Sequence, residues 1–250
     1  LTETSIAEAL YLPEKLSQQM GSVPLVVVFD EFQEVAGLSK EFALEKIFRS
    51  CIQAHQNVRY VFLGSKTHLM KRMFADAARP FYNSAMPLPL GKPPADESRE
   101  FLSTRFRDAG IDLGASECEG ILSASENVPY YLQELASAVF ETVLPDRVVK
   151  AGHLEQAIED IVAKNAELYA ERVAGLSETK RSILLALADE PTATFGDGYR
   201  AAHALPVSST LHTALKELQE DGIVCTDESG HRIADPFFMR YIRTSPARVF

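Results

Sequence analysis

The run Leu25-Val26-Val27-Val28-Phe29 is wholly apolar and leads straight into Asp30-Glu31. A short continuous apolar run of β-prone residues predicts a strand, here over 24–29, buried on both faces. A second such run, Arg59-Tyr60-Val61-Phe62-Leu63, ends in Gly64-Ser65. Between them residues 39–56 carry helical spacing, with Phe42, Ile47, Cys51 and Ile52 among the apolar positions and Ser39 as the predicted N-cap. Residues 3–20 predict a helix broken or kinked near Pro13, because proline removes a helical hydrogen bond. Leu69, Met70, Met73 and Phe74 predict a further helix after Ser65. Strand, long helix, strand, short helix is the rhythm of a parallel sheet with crossovers. Residues 85–90 alternate with Pro87 and Pro89, so a strand there sits on an edge or is leaving the sheet.

The pattern changes at Gly91-Lys92-Pro93-Pro94, which reads as a linker. Beyond it β signals vanish for some 80 residues. Pro94 suits a first helical turn and Gly110 a helix stop. Further helices are predicted at 115–126, 130–143 and 153–173, a bundle held by Phe101, Phe106, Ile121, Leu122, Leu132, Leu135, Val139 and Phe140. The last third reads as helices at 177–189, 197–204 and 207–221. A short hairpin follows, Ile223-Val224-Cys225-Thr226 and His231-Arg232-Ile233 around a turn at Asp227-Glu228-Ser229-Gly230. Three helices and a hairpin is the winged-helix order, with residues 207–221 at the recognition position. The predicted domains are therefore 1–92, 93–175 and 176–250, an α/β core with a partial parallel sheet, a helical domain and a winged helix.

Composition narrows the partners. With 46% hydrophobic and 24% charged residues the chain has the make-up of a globular protein. The net charge of −10 is uneven: residues 1–92 hold 10 Lys/Arg against 9 Asp/Glu, residues 93–175 hold 7 against 16, and residues 176–250 hold 8 against 10. No segment is basic enough to bind nucleic acid by bulk electrostatics. No apolar run approaches the roughly 18–20 residues that span a bilayer, so no membrane association is expected. Cys51, Cys118 and Cys225 are far apart and read as reduced thiols, which fits a cytoplasmic protein.

The chemistry is concentrated at the ends of the two predicted strands. An apolar strand ending in two carboxylates resembles a Walker B motif of a P-loop ATPase. In that reading Asp30 holds Mg²⁺ and Glu31 orients and deprotonates the attacking water. An acidic turn capping a strand is the alternative. No G-x-x-x-x-G-K-[ST] occurs in the 250 residues, and Gly21 is the only glycine before Leu25. The loop that would cradle the phosphates of ATP is thus missing from this sequence. The chain also opens on Leu1 rather than Met, so it is expected to be a fragment of a longer ATPase or a divergent relative that has lost the loop.

With these parts in order, the chain resembles the archaeal-type ATPase family, a branch of the STAND class within the AAA+-like P-loop NTPases. Four stretches carry the resemblance. Leu25 through Gln33 matches Walker B in its Asp-Glu-Phe-Gln form, and Val61-Phe62-Leu63-Gly64-Ser65 matches the sensor 1 strand. Asn127-Val128-Pro129 resembles the G-x-P motif of the family's helical lid, and Asp235-Pro236-Phe237-Phe238 resembles its closing element. The resemblance implies ATP and Mg²⁺ as cofactors, Glu31 and Ser65 as catalytic residues, Asp30 and Gln33 at the nucleotide, and Pro129 near the adenine.

Two departures stand out. Ser84 occupies the position of a family arginine that contacts the phosphates, and Asn127 replaces the lid glycine. Loss of the arginine removes charge stabilisation from the γ-phosphate, so slow hydrolysis is expected even with a P-loop. Lys66 and Arg72 are candidates to stand in for it, against the plainer reading of a solvated helix face.

In the winged helix, Ser209, His212, Lys216 and Arg232 are the candidate contacts for DNA or for a docked protein or domain. Arg240, Arg243 and Arg248 are further candidates for phosphate. One lysine on the recognition helix favours docking over DNA reading. The functional alternatives are a nucleotide-switched regulatory ATPase, a winged-helix transcription regulator with a relic core, and, least favoured, a helicase fragment.

Overall fold

A computed structural model of the chain describes residues 3–38, 43–144, 147–192, 195–227 and 230–244. The predicted N-cap Ser39, the apolar Phe42, the turn residues Glu228 and Ser229, and Arg248 lie outside the described residues. The chain divides into two compact units, Leu1–Pro89 and Leu90–Phe250.

The first unit runs α1 (Glu3–Gln19), β1 (Leu25–Phe29), α2 (Glu34–Leu38), α3 (Ala43–Ala54), β2 (Val58–Phe62) and α4 (Thr67–Ala75). β1 and β2 pair in parallel, Leu25 opposite Val58 through to Phe29 opposite Phe62, so the predicted parallel sheet with a helical crossover is present. α1 is continuous through Pro13, so of the expected break or kink there is no break. Contacts beyond the helix hold it: Ser17 Oγ donates to the Val23 carbonyl at 2.7 Å, and the Tyr11 ring meets His55 edge-on at 5.5 Å. Packing of this kind outweighs one missing helical donor.

β1 is buried on one face only, which corrects the expectation of two. Val26 and Val28 are 66% and 54% exposed. Among the described residues, α1 and α3 pack on the sheet from one side, and Leu25, Val27 and Phe29 point that way. Beneath the strand ends five phenylalanines interlock around Phe32, whose ring lies 4.5 Å from Phe62 and 5.2 Å from Phe81. Beside them Glu45 and Arg79 form a buried ion pair. Residues 85–90 form no strand.

The second unit contains α5 (Ala95–Asp108), α6 (Ala115–Ala124), α7 (Pro129–Val143), α8 (Ala151–Lys164) and α9 (Ala166–Ala174). Then follow α10 (Glu178–Asp189), α11 (Asp197–Ala202), α12 (Ser208–Glu220), the hairpin β3 (Val224–Asp227) and β4 (Gly230–Ile233), and α13 (Pro236–Thr244). Pro94 caps α5 rather than entering its first turn. Gly110 takes φ +70 at its end, where the Ile111 N–H reaches the Phe106 carbonyl at 2.9 Å, the left-handed stop that glycine permits.

The helix expected over 153–173 is two helices. Asn165 leaves helical geometry and its side-chain amide donates to the Ile161 carbonyl at 3.0 Å, competing with the backbone ladder. α13 was not foreseen as a helix. Asp235 Oδ1 accepts the Phe237 and Phe238 N–H groups at 2.8 and 3.0 Å, capping it ahead of Pro236. One hydrophobic core runs through the whole unit, from Leu102 and Leu135 to Leu211, Leu218 and Phe238. The winged helix therefore shares its interior with the helices that precede it.

The buried Glu45–Arg79 pair generates a stability prediction. Burial lifts the Glu45 carboxyl above the ordinary range even with the Arg79 guanidinium against it. Removing the carboxylate leaves a cation in the interior. Glu45→Ala should cost about 3 kcal/mol in denaturant unfolding, within the range for broken buried pairs.

Candidate functional site

The site is assembled by the pairing of β1 with β2. The parallel ladder continues past the strands: Leu63 N–H donates to the Phe29 carbonyl and Phe32 N–H to the Leu63 carbonyl, both at 2.8 Å. That register sets residues 30–33 beside residues 63–65. Asp30 and Glu31 are exposed where the apolar run ends, since ionised carboxylates are costly to bury. Phe32 turns inward and anchors the turn in the aromatic cluster.

Glu31 has φ +49, a left-handed conformation uncommon for a residue with a side chain. Its N–H donates to Asp30 Oδ1 at 2.9 Å. Its carboxylate is held from two directions: Ser65 Oγ donates to Glu31 Oε2 at 2.9 Å, and the Gln33 side-chain amide donates to the same oxygen. These donors, Gln33 first and then Ser65, with Lys66 nearby, hold the Glu31 carboxyl below the usual carboxylate range. Glu31 is therefore fully ionised near neutrality. Lys66 Nζ pairs with Glu34 at 2.9 Å and so closes the outer side of the turn.

Gln33 is buried, and its side-chain carbonyl oxygen has no protein partner. It lies against Gly64, where a Cβ would collide with that oxygen and come within 2.6 Å of Met70 Cγ and Sδ. Gly64 is thus needed for close approach, a role the sequence hinted at only by placing a glycine directly after a strand. Asp30, Glu31, Gln33 and Ser65 lie together in one hydrogen-bonded cluster.

Other candidates lie elsewhere. Ser84 Oγ donates to the Phe81 carbonyl at 2.7 Å and closes a local turn. Arg79, the arginine nearest to it in sequence, is engaged with Glu45 in the interior. Arg72 is exposed. Pro129 belongs to the second unit, exposed in the first turn of α7. Before it, Glu126 and Asn127 have φ +51 and +53, and Asn127 Nδ2 donates to the Pro93 carbonyl at 2.8 Å.

A single exposed carboxylate at Asp30 fits Mg²⁺, which takes one or two protein carboxylates and fills its shell with water and phosphate. Among the described residues no cluster of three or more His, Cys, Asp or Glu could hold a metal alone. The orphaned Gln33 oxygen adds a buried acceptor beside Glu31.

On the winged helix, Leu211, Leu215 and Leu218 face the core while Ser209, His212 and Lys216 face solvent. Lys216 lies 3.8 Å from Glu220. Arg232 is paired with Asp227 at 2.6 Å and with Glu126 at the end of α6, tying the wing to the helical segment. Arg240 pairs with Glu155, and Arg243 donates to the Ala188 carbonyl.

With two parallel strands ending in this cluster and a winged helix downstream, the fold resembles that of AAA+ P-loop ATPases. Residues 167–244 match a family model described as a probable winged helix domain. A solved Walker-type ATPase of Pyrococcus abyssi superposes with a TM-score of 0.67 at 21% identity, over 92% of this chain and 65% of that one. A point variant of Thermotoga maritima RuvB superposes with a TM-score of 0.50 at 16% identity, over 93% of this chain and 72% of that one. This chain thus spans about two thirds of the length of the Pyrococcus ATPase. A search of curated proteins finds no match. Among the described residues no helix is long and apolar enough to cross a membrane.

Two substitutions probe the cluster. Gly64→Ala should cost roughly 1–3 kcal/mol in thermal or chemical unfolding, because Gln33 and Met70 must give way. Ser65→Ala removes one of the donors to Glu31. A depressed carboxyl contributes stability above its ordinary pKa and loses it as pH falls through the folded value. The variant should therefore move the Glu31 titration back upward, as read from its side-chain carboxyl by NMR.

Proposed function

We propose that the protein acts as a regulatory ATPase of the STAND type, in which nucleotide state is coupled to the helical lid and the winged helix. The observation that carries this reading is the Glu31 carboxylate, fixed by Ser65 from the neighbouring strand and by Gln33 from its own turn. Fixed, ionised carboxylates at the ends of parallel strands suit water activation and metal binding. In this reading Asp30 holds Mg²⁺, which neutralises phosphate charge. Glu31 orients the water and accepts its proton, and Ser65 marks the γ-phosphate position. Pro129 packs near the adenine, and Gln33 supplies its free carbonyl oxygen. Ser84 brings no positive charge to the γ-phosphate, so hydrolysis is slow and the protein works as a switch. A cytoplasmic location belongs to the same proposal.

The phosphate cradle is the missing part. Titrated calorimetrically with ATP and Mg²⁺, this sequence alone should show no binding at sub-millimolar nucleotide. Tight binding would mean that the cradle is rebuilt elsewhere in the chain. Fused to a segment that carries a P-loop, it should bind ATP. Glu31→Gln should then keep binding and lose about a hundredfold or more in hydrolysis, within the range for lost acid–base groups. An unchanged rate would reduce Glu31 to a strand cap.

DNA binding through Ser209, His212, Lys216 and Arg232 is the second reading. Arg232 is turned toward Glu126 and Asp227, an arrangement that supports docking of the wing over contact with phosphate. In anisotropy titrations the full chain should bind duplex DNA weakly, with a shallow salt dependence. Nanomolar sequence-specific binding that is lost in Lys216→Ala would reverse the order of the two readings.

A further inference from the structure

The second unit holds a cavity of about 260 Å³ bounded by α7, the α8–α9 junction, the turn after α12 and the start of α13. Its walls combine the rings of Tyr130, Tyr131, Tyr169 and Phe238 with the carboxylates of Glu134 and Asp235. The two acids are not equivalent. Asp235 is committed: Oδ1 caps α13 and Oδ2 accepts the Tyr169 hydroxyl at 3.1 Å. Glu134 is half-buried, and burial together with the charge of Asp235 pushes its carboxyl up, against weaker relief from Lys164 and Asn165. Glu134 thus shares the wall with Asp235, with Asn165 and Lys164 nearby.

The aromatic side shows how a cation is received. The Arg172 guanidinium sits over the Phe238 ring, 5.3 Å from its centroid. This is the geometry in which an aromatic face attracts a cation. Arg172 is itself exposed, at the rim of the cavity, which leaves the space between the tyrosine rings and Glu134 for a ligand. The volume lies just below the usual range for small-molecule pockets, roughly 300–1,000 Å³, and excludes anything of nucleotide size.

We infer that this cavity is a binding site for a small molecule bearing a protonated amine, held between the Glu134 carboxylate and the surrounding tyrosine rings. The ammonium donates its hydrogen bonds to the Glu134 carboxylate and rests its remaining surface on ring faces. Two kinds of molecule share this chemistry, a simple alkylamine and an amino acid, whose carboxylate would reach Arg172 at the rim. A ligand in this position touches α7 and α13 together and so joins the helical segment to the winged helix. The site goes beyond the nucleotide reading and does not rest on it.

The chain has no tryptophan and 8 tyrosines, so tyrosine fluorescence reports on the cavity. The full chain would be titrated with n-butylamine hydrochloride, with lysine, and with 1-butanol and adenosine as controls. The amine and the amino acid should give saturable changes and raise the melting temperature, and the controls should give neither. Tighter binding of lysine assigns the amino acid, while equal affinities assign the amine alone. Glu134→Gln, which keeps the shape, should weaken amine binding about tenfold, as expected for one charge-assisted hydrogen bond. Tyr130→Ala, at a ring 69% exposed, should weaken it severalfold while leaving the unligated melting temperature unchanged. No saturable response to the amines, an equal response to butanol or adenosine, or wild-type affinity in Glu134→Gln would each overturn the assignment.

Discussion

The register between β1 and β2 is the constraint on which the candidate site depends. Leu25 opposite Val58 and Phe29 opposite Phe62 fix the ends of two strands separated by a helical crossover. Only in that register does Ser65 come within 2.9 Å of a carboxylate 34 residues earlier in the chain. A slip of one residue would turn every side chain to the opposite face and expose the phenylalanine cluster. The cluster and the site are therefore two results of one pairing. Phe32 fills the interior below the turn, and its neighbours Glu31 and Gln33 form the polar rim above it.

The second unit is organised by a different principle. One core passes through the helical segment and the winged helix, so the latter is not an independent module. The cations near the wing are engaged within the unit: Arg232 with Glu126 and Asp227, Arg240 with Glu155 at the surface, Arg243 with the Ala188 carbonyl. Positive charge that a DNA-reading domain would present outward here ties elements of the same unit together. Ser209 and His212 remain on the surface as hydrogen-bonding groups, with Lys216 close to Glu220. Such a surface suits recognition of another protein surface better than that of a phosphate backbone.

Much of this was legible in the sequence, and the reasons differ by element. Both core strands, most of the helices from Ala95 onward and the wing announced themselves because hydrophobic period, proline and glycine act locally. The parallel pairing of both strands is readable from the same local signals, and it places Glu31 beside Ser65. What escaped depended on packing between distant segments. Pro13 stays helical because α1 is braced by Val23 and His55. Val26 and Val28 look like interior residues by composition, yet among the described residues helices cover only the opposite face of the sheet. Nothing local in the sequence marks Glu45 and Arg79 as interior partners; the fold brings them together. Asn165 breaks a helix through a side-chain bond that periodicity does not register, and Asp235 begins one through a cap.

Asn127 shows what a departure from a motif can achieve. The resembling family has glycine at this position, and the backbone here does adopt the left-handed conformation that glycine allows, with φ +53. Asparagine tolerates that conformation and adds an amide, which grips the Pro93 carbonyl where the chain enters the second unit. Glycine would meet the geometric demand but leave the unfolded chain more conformational freedom to lose. The replacement narrows the disordered ensemble and adds an anchor to the ordered one, so a residue that looks like decay of the motif reinforces the fold from both sides of the folding equilibrium.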